Sequence, residues 1–171
     1  MVRGLLVFFV VVFLAFFAVF SVHASTPLQE EVKLFLESGE ELPFFGVAED
    51  AHMFDVYYLL LAARLVTAGL VVGLLAVLAR VQVRSLRVAG WLLVVAPLAL
   101  VLVEWSWLFE VFHHVFFPQG NWRFPAGSLL IQTYPEQFFV RFASWWAGVV
   151  VVSGAGLVVA SYTRVVRRVL A

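Results

Sequence analysis

The sequence predicts an all-α integral membrane protein, a four-helix bundle with a small extracytoplasmic cap formed by two outer loops. Three observations predict it. Of the 171 residues, 64% are hydrophobic and 13% charged, with a mean hydropathy of +1.02; soluble domains run at about 45–50% apolar and about 25% charged. No single water-facing domain of this size hides so much apolar surface. The apolar residues fall into four blocks, at about 4–22, 55–78, 88–109 and 135–160. Each reaches the roughly 20 residues that cross a ~30 Å hydrocarbon layer, and each is apolar on all faces, as a lipid-facing helix is. No repeat or long linker separates them, so residues 1–171 read as one membrane domain.

The first block, from about Gly4 to Val22, follows Arg3 and ends at Val22-His23-Ala24-Ser25, which resembles a secretory signal with a small-residue cleavage site. Its apolar run is longer than the 7–15 residues of a signal core, so retention is expected. An outer loop over about 23–54 follows, and Glu49 or Asp50 is the expected N-cap of the second helix, which runs from about Asp55 to Leu78. The third helix covers about Val88 to Phe109 and leads into the second outer loop, about 110–134. There Pro118-Gln119-Gly120-Asn121 signals a turn, and Trp122 and Phe124 are expected to dip into the lipid headgroups. Ser128 is placed to cap a short helical turn over Leu129 to Thr133. Pro135 stands at the first position of the last helix, where its missing N–H costs nothing.

Orientation follows from the arginines. Arg80, Arg84 and Arg87 lie in the short link between the second and third helices, Arg164, Arg167 and Arg168 follow the fourth, and Arg3 precedes the first. The first outer loop is acidic, with Glu30, Glu31, Glu37, Glu40, Glu41, Glu49 and Asp50. The positive-inside rule then makes both termini cytoplasmic and both long loops external. Any chemistry belongs to the outer face or the bilayer. Eleven basic and eleven acidic residues cancel, so no basic field exists to hold nucleic acid. With no cysteine, disulfides, thiolate nucleophiles and zinc-thiolate or iron–sulfur centres are excluded.

The remaining polar residues gather at the outer boundary. His52 and Asp55, three residues apart, share a helix face, where a carboxylate would fix the imidazole tautomer; an interfacial histidine beside a favourable first-turn charge is the plain alternative. His113 and His114 end the third helix, and only one can point inward, because neighbours differ by about 100° around a helix. Glu110 is spaced to pair with either, and Tyr134, Glu136 and Gln137 open the last helix at the same level. Arg64 and Glu104 are the deep charges, and an ion pair between them is expected to tie the second helix to the third. Arg123, the only cation of the second loop, is placed to meet a lipid phosphate or an ester carbonyl.

Taken in order, His52-Met53-x-Asp55-Val56, Phe112-His113-x-x-Phe116-Phe117, Trp122-x-Phe124 and Tyr134-Pro135-Glu136-x-Phe138-Phe139 resemble the bacterial lipoprotein intramolecular transacylases. The likeness spans His52 to Phe139, and the Phe-His string followed by Trp-x-Phe is its more specific part. It implies a four-crossing enzyme of the bacterial cytoplasmic membrane. Such an enzyme moves the sn-2 acyl chain of a lipoprotein's diacylglyceryl-cysteine to that residue's own α-amino group, leaving a lyso-form lipoprotein. The implied partners are the diacylated lipoprotein N-terminus and membrane phospholipid, and the implied functional histidines are His52 and His113. The first outer loop is short for the family, and an acid is expected where Ser128 stands.

The residues suit such a reaction. The amine is itself the nucleophile, so no cysteine or activated serine is needed, and neither metal nor cofactor is expected. On this reading His52, oriented by Asp55, is the general base. His113 protonates the departing glycerol oxygen or polarises the carbonyl, and Arg123 with the loop backbone supplies oxyanion donors. Trp122, Tyr134 and His114 line the substrate. Three other readings stay open. His52, Asp55, His113 and His114 offer zinc ligands for a metal-dependent lipid hydrolase, although no His-Glu-x-x-His spacing exists. Histidines on two helices would suit a haem electron carrier. A non-enzymatic membrane subunit would use the same groups for packing alone.

Overall fold

A computed structural model of the chain describes residues 2–39, 43 and 45–170, with side chains through residue 163. Glu40 and Glu41 of the acidic loop, and the side chains of Arg164, Arg167 and Arg168, lie outside the described residues. The elements are α1 (Val2–Val22), α2 (Pro27–Ser38), α3 (Val47–Val77) with a 3-10 turn at Leu78–Arg80, α4 (Val83–Leu100), α5 (Trp105–Phe116), α6 (Leu129–Thr133) and α7 (Glu136–Leu170). The described residues contain no strand. Four helical stretches are long and apolar enough to cross a membrane: Val2–Val22, Val47–Arg80, Val83–Leu100 and Glu136–Thr163.

Several boundaries differ from the sequence expectation, each for a local reason. The second crossing begins at Val47, so Glu49 and Asp50 sit in its first turn instead of capping it. Asp50 Oδ1 accepts the N–H of Phe45 at 3.1 Å, and the Glu49 carboxylate is buried elsewhere. The third block is two helices. Pro97, lacking an N–H, lies in the last turn of α4, which stops at Leu100. The chain restarts as α5 with Glu104 as its N-cap, accepting the N–H groups of Ser106 and Trp107, both at 3.1 Å. Inside the first outer loop stands α2, started by Thr26, whose hydroxyl accepts the Gln29 N–H at 3.2 Å, and by Pro27. It ends at Gly39, whose φ of 76° is the left-handed conformation that glycine adopts without strain. α6 forms as expected, with the Ser128 hydroxyl accepting from the Ile131 N–H at 3.3 Å. Pro135 stands one residue outside α7, its carbonyl accepting the Phe138 N–H at 2.8 Å.

The chain divides into two compact units. One comprises Met1–Val19, Leu65–Leu102 and Ser144–Ala171. Its core is Ala15, Leu93 and Val150, flanked by Phe8, Val11, Val12, Trp146 and Leu157, so α1 is part of that core. Trp146 donates its indole N–H to the Val12 carbonyl at 3.1 Å. A Cβ on Gly154 would lie 2.7 Å from the Gly90 carbonyl oxygen, so small residues let α4 and α7 touch backbone to backbone. The other unit comprises Phe20–Arg64 and Val103–Ala143, and it carries the candidate site.

Candidate active site

Two imidazoles from different helices meet in the second unit. His52 of α3 is 7% exposed and His113 of α5 is 9% exposed, the only buried residue of its helix. Their ring centres are 6.2 Å apart, with planes 31° from parallel. Phe117 packs edge-on to His52 at 4.8 Å and Phe124 lies 5.7 Å away. Phe109, one turn before His113, sits 4.0 Å from it. The helix geometry thus selects His113 as the inward member of the pair, and His114 is exposed.

Hydrogen bonding sets the state of these rings. His113 Nδ1 lies 2.7 Å from the Phe109 carbonyl oxygen. A carbonyl only accepts, so Nδ1 carries the proton and Nε2 holds the lone pair of the neutral ring. Burial pushes the His113 imidazole below its ordinary range; the Phe109 bond opposes this and the His114 charge adds to it. His52 Nδ1 is buried and has no hydrogen-bond partner among the described residues. The indole N–H of Trp122 is in the same condition. Trp122 is 8% exposed, with its ring 4.7 Å from His113 and 5.4 Å from His114. It therefore packs into the site and not into headgroups, and Phe124 faces His52. A buried donor or acceptor left unpaired costs about 1–3 kcal/mol, so two unpaired groups at one place call for an explanation.

Asp55 does not hold His52. Its Oδ2 accepts from Gln119 Nε2 at 2.9 Å and from Asn121 Nδ2 at 2.6 Å. The carboxylate thereby pins the turn that ends at Gly120, whose N–H bonds the Phe117 carbonyl at 3.1 Å and whose φ is 78°. That turn delivers Trp122 to His113.

Other expected site residues lie apart. Arg123 Nη2 is 3.5 Å from Glu110 Oε1, both side chains being exposed, and its guanidinium lies 4.6 Å over the Trp122 ring. Glu110 thus serves Arg123 and neither histidine. Tyr134 packs on Phe138 at 4.9 Å, away from the imidazoles, and burial raises its phenol pKa. Arg64 and Glu104 do not pair: Arg64 Nη1 donates to the Glu37 carbonyl at 2.7 Å, while Glu104 caps α5. Glu49, expected only as a possible helix cap, is 8% exposed, and its Oε1 accepts the Leu130 N–H at 3.0 Å and fastens α6 to α3. Its signal was the three-residue spacing from His52 along one helix face. Gln119 and Asn121, noted only as turn residues, carry no local sign of their partner. Among the described residues no three His, Asp or Glu side chains gather as a metal would require.

The family pattern described as lipoprotein intramolecular transacylase Lit matches residues 26–139. No curated protein sequence matches significantly. Two solved structures of the membrane-integral lipoprotein intramolecular transacylase Lit from Bacillus cereus share the fold. One superposes with a TM-score of 0.83 at 18% identity, covering 99% of this chain and 95% of that one. The other, a histidine-to-arginine variant, gives 0.73 at 17% identity, with 99% and 93% covered. The match takes in α2 through the start of α7, including both buried histidines, and the chain belongs to the lipoprotein intramolecular transacylase (Lit) family of membrane-integral acyltransferases.

Proposed function

We propose that the chain transfers the sn-2 acyl group of a lipoprotein's diacylglyceryl-cysteine to that cysteine's own α-amino group, using His52 and His113 for proton transfer. The substrate nitrogen, having first given its ammonium proton to water, attacks the ester carbonyl carbon. The forming C–N bond releases a second N–H proton, the bond to the glycerol oxygen breaks, and that oxygen takes up one proton. The pair thus accepts one proton and delivers one. His52 is the base, and His113 relays the proton to the leaving oxygen or steadies the carbonyl. Ester and amine belong to one molecule, so holding them together supplies much of the acceleration. The Trp122 indole N–H is the donor best placed for the developing oxyanion, a role that Arg123, tied to Glu110, fills less well.

The observation that carries this reading is the meeting of His52 and His113 at 6.2 Å, with the buried Nδ1 of His52 unpartnered. On this reading the site faces outward in a bacterial cytoplasmic membrane, as the positive-inside rule applied to Arg80, Arg84 and Arg87 implies. Mass spectrometry of lipoprotein N-terminal peptides tests it: His52→Ala abolishes the lyso-form while the protein still folds in the membrane. Normal turnover by that variant overturns the assignment.

A further inference from the structure

A second polar cleft lies in the same unit, of about 410 Å³, lined by residues of α2, α6 and α7. We propose that it binds the phosphate of a membrane phospholipid, with Arg141 as the counter-charge. The idea does not rest on the transacylase reading.

Arg141 is in the second turn of α7, inside the stretch Glu136–Thr163 that is apolar enough to cross a membrane. Among the described residues it has neither an ion pair nor a hydrogen bond, although Arg123 and Arg64 both have partners in this unit. Arg141 is exposed, and a long basic side chain near a helix end reaches the headgroup level, where lipid phosphates lie. No carboxylate lines the cleft, so the protein supplies no counter-anion there. What lines it instead is hydroxyl and amide: Ser25, Thr26, Gln29, Gln132 and Thr133. Gln132 uses one amide N–H on the Gly127 carbonyl at 3.0 Å, leaving its second free to donate. The first turn of α2 opens here too; Pro27 has no N–H and those of Gln29 and Glu30 bond Thr26, which leaves the Leu28 N–H without an intrahelical acceptor. Leu28, Leu129 and Pro135 complete the lining with an apolar surface suited to the start of an acyl chain. A guanidinium, spare N–H donors and an apolar edge together match a phosphodiester headgroup. Phosphate is the anion that a bilayer always offers.

The test uses the purified full-length protein in neutral detergent, with native mass spectrometry reading bound dioleoyl-phosphatidylglycerol. Dioleoylglycerol, which lacks phosphate, and inorganic phosphate are run alongside. Arg141→Gln should weaken phosphatidylglycerol binding by about tenfold, the scale of a charge-assisted hydrogen bond, and leave dioleoylglycerol unmoved. Arg141→Lys, which keeps the charge, should fall between the two proteins. Should Arg141→Gln not fold, Arg141→Lys and Gln132→Leu serve in its place, each expected to bind phosphatidylglycerol more weakly than the wild type. Protection of the wild type alone by inorganic phosphate, without phosphatidylglycerol preference, assigns the same phosphate site to a soluble ligand. Equal phosphatidylglycerol binding by the wild type and the folded variants overturns the proposal.

Discussion

His52 and His113 face each other at 6.2 Å although one belongs to α3 and the other to α5. His114, next in sequence, is exposed and meets only the edge of Trp122, at 5.4 Å. The two neighbours therefore have different fates on substitution. His113→Phe, which keeps a ring in the same space, should lower lyso-lipoprotein formation by about 10²–10⁴-fold, the usual worth of a positioned acid or base. His114→Phe should stay within a few-fold of the wild type. Equal losses would point to packing around Trp122 as the common cause.

Burial holds the His113 imidazole below its ordinary value of 6.5, and unfolding returns it there. Between those two values the unfolded chain binds a proton that the folded chain refuses. The contribution of this ring to stability is thus fully present above about 6.5, is lost as pH falls toward the folded value, and changes no further below it. Thermal melts in detergent between about pH 7 and pH 5 should show a smaller acid loss for His113→Phe than for the wild type. The acid limb of activity should likewise lie below that of a free imidazole. An unchanged acid loss in the variant would remove His113 as the group responsible.

Hydropathy made the four crossings legible, because crossing a bilayer is a matter of length and composition. α6 was legible for a different reason: Ser128 caps within its own turn, so the signal is local. α2 was hidden by the acids around it, although Gln29, Val32, Phe35 and Leu36 mark one buried helical face behind Thr26-Pro27. The break between α4 and α5 is backbone geometry, which an apolar count does not register beyond the hint of Pro97. The histidines could be singled out, yet Asp55 could be assigned only to its sequence neighbour His52. Its partners Gln119 and Asn121 lie far along the chain, and no pattern links them. Trp122 carries no sequence sign of its burial, which depends on the turn before it that Asp55 anchors.

That anchoring predicts how Asp55 variants behave. Were Asp55 fixing the His52 tautomer, Asp55→Asn would be ruinous, as in a hydrolase triad where the same change costs about 10⁴-fold. As a clamp on the turn, Asp55→Asn keeps an acceptor oxygen and should retain most activity. Asp55→Ala removes the acceptor for Gln119 and Asn121, weakening the turn by about 1–3 kcal/mol. It should speed proteolysis between Phe117 and Pro125 and lower lyso-lipoprotein formation more than Asp55→Asn does. If Asp55→Asn is as inactive as Asp55→Ala and neither is cleaved faster, the carboxylate acts on His52 after all.

Arg64 and Glu104 yield the opposite expectation from an ion pair. The Arg64 guanidinium donates to the Glu37 carbonyl near the C-terminal end of α2, where the helix dipole favours a cation. The Glu104 carboxyl is held below the usual carboxylate range first by the Ser106 hydroxyl, then by the backbone N–H groups of Ser106 and Trp107. Each charge therefore serves a different helix end. Arg64→Glu should loosen the hold on α2, and Glu104→Arg should fray the start of α5 by placing a cation at a helix N-terminus. Combined, the two reversals should lower the melting temperature by the sum of the single effects, because the sites share no partner. Recovery of folded yield in the double variant would mean that the two side chains do meet in the membrane.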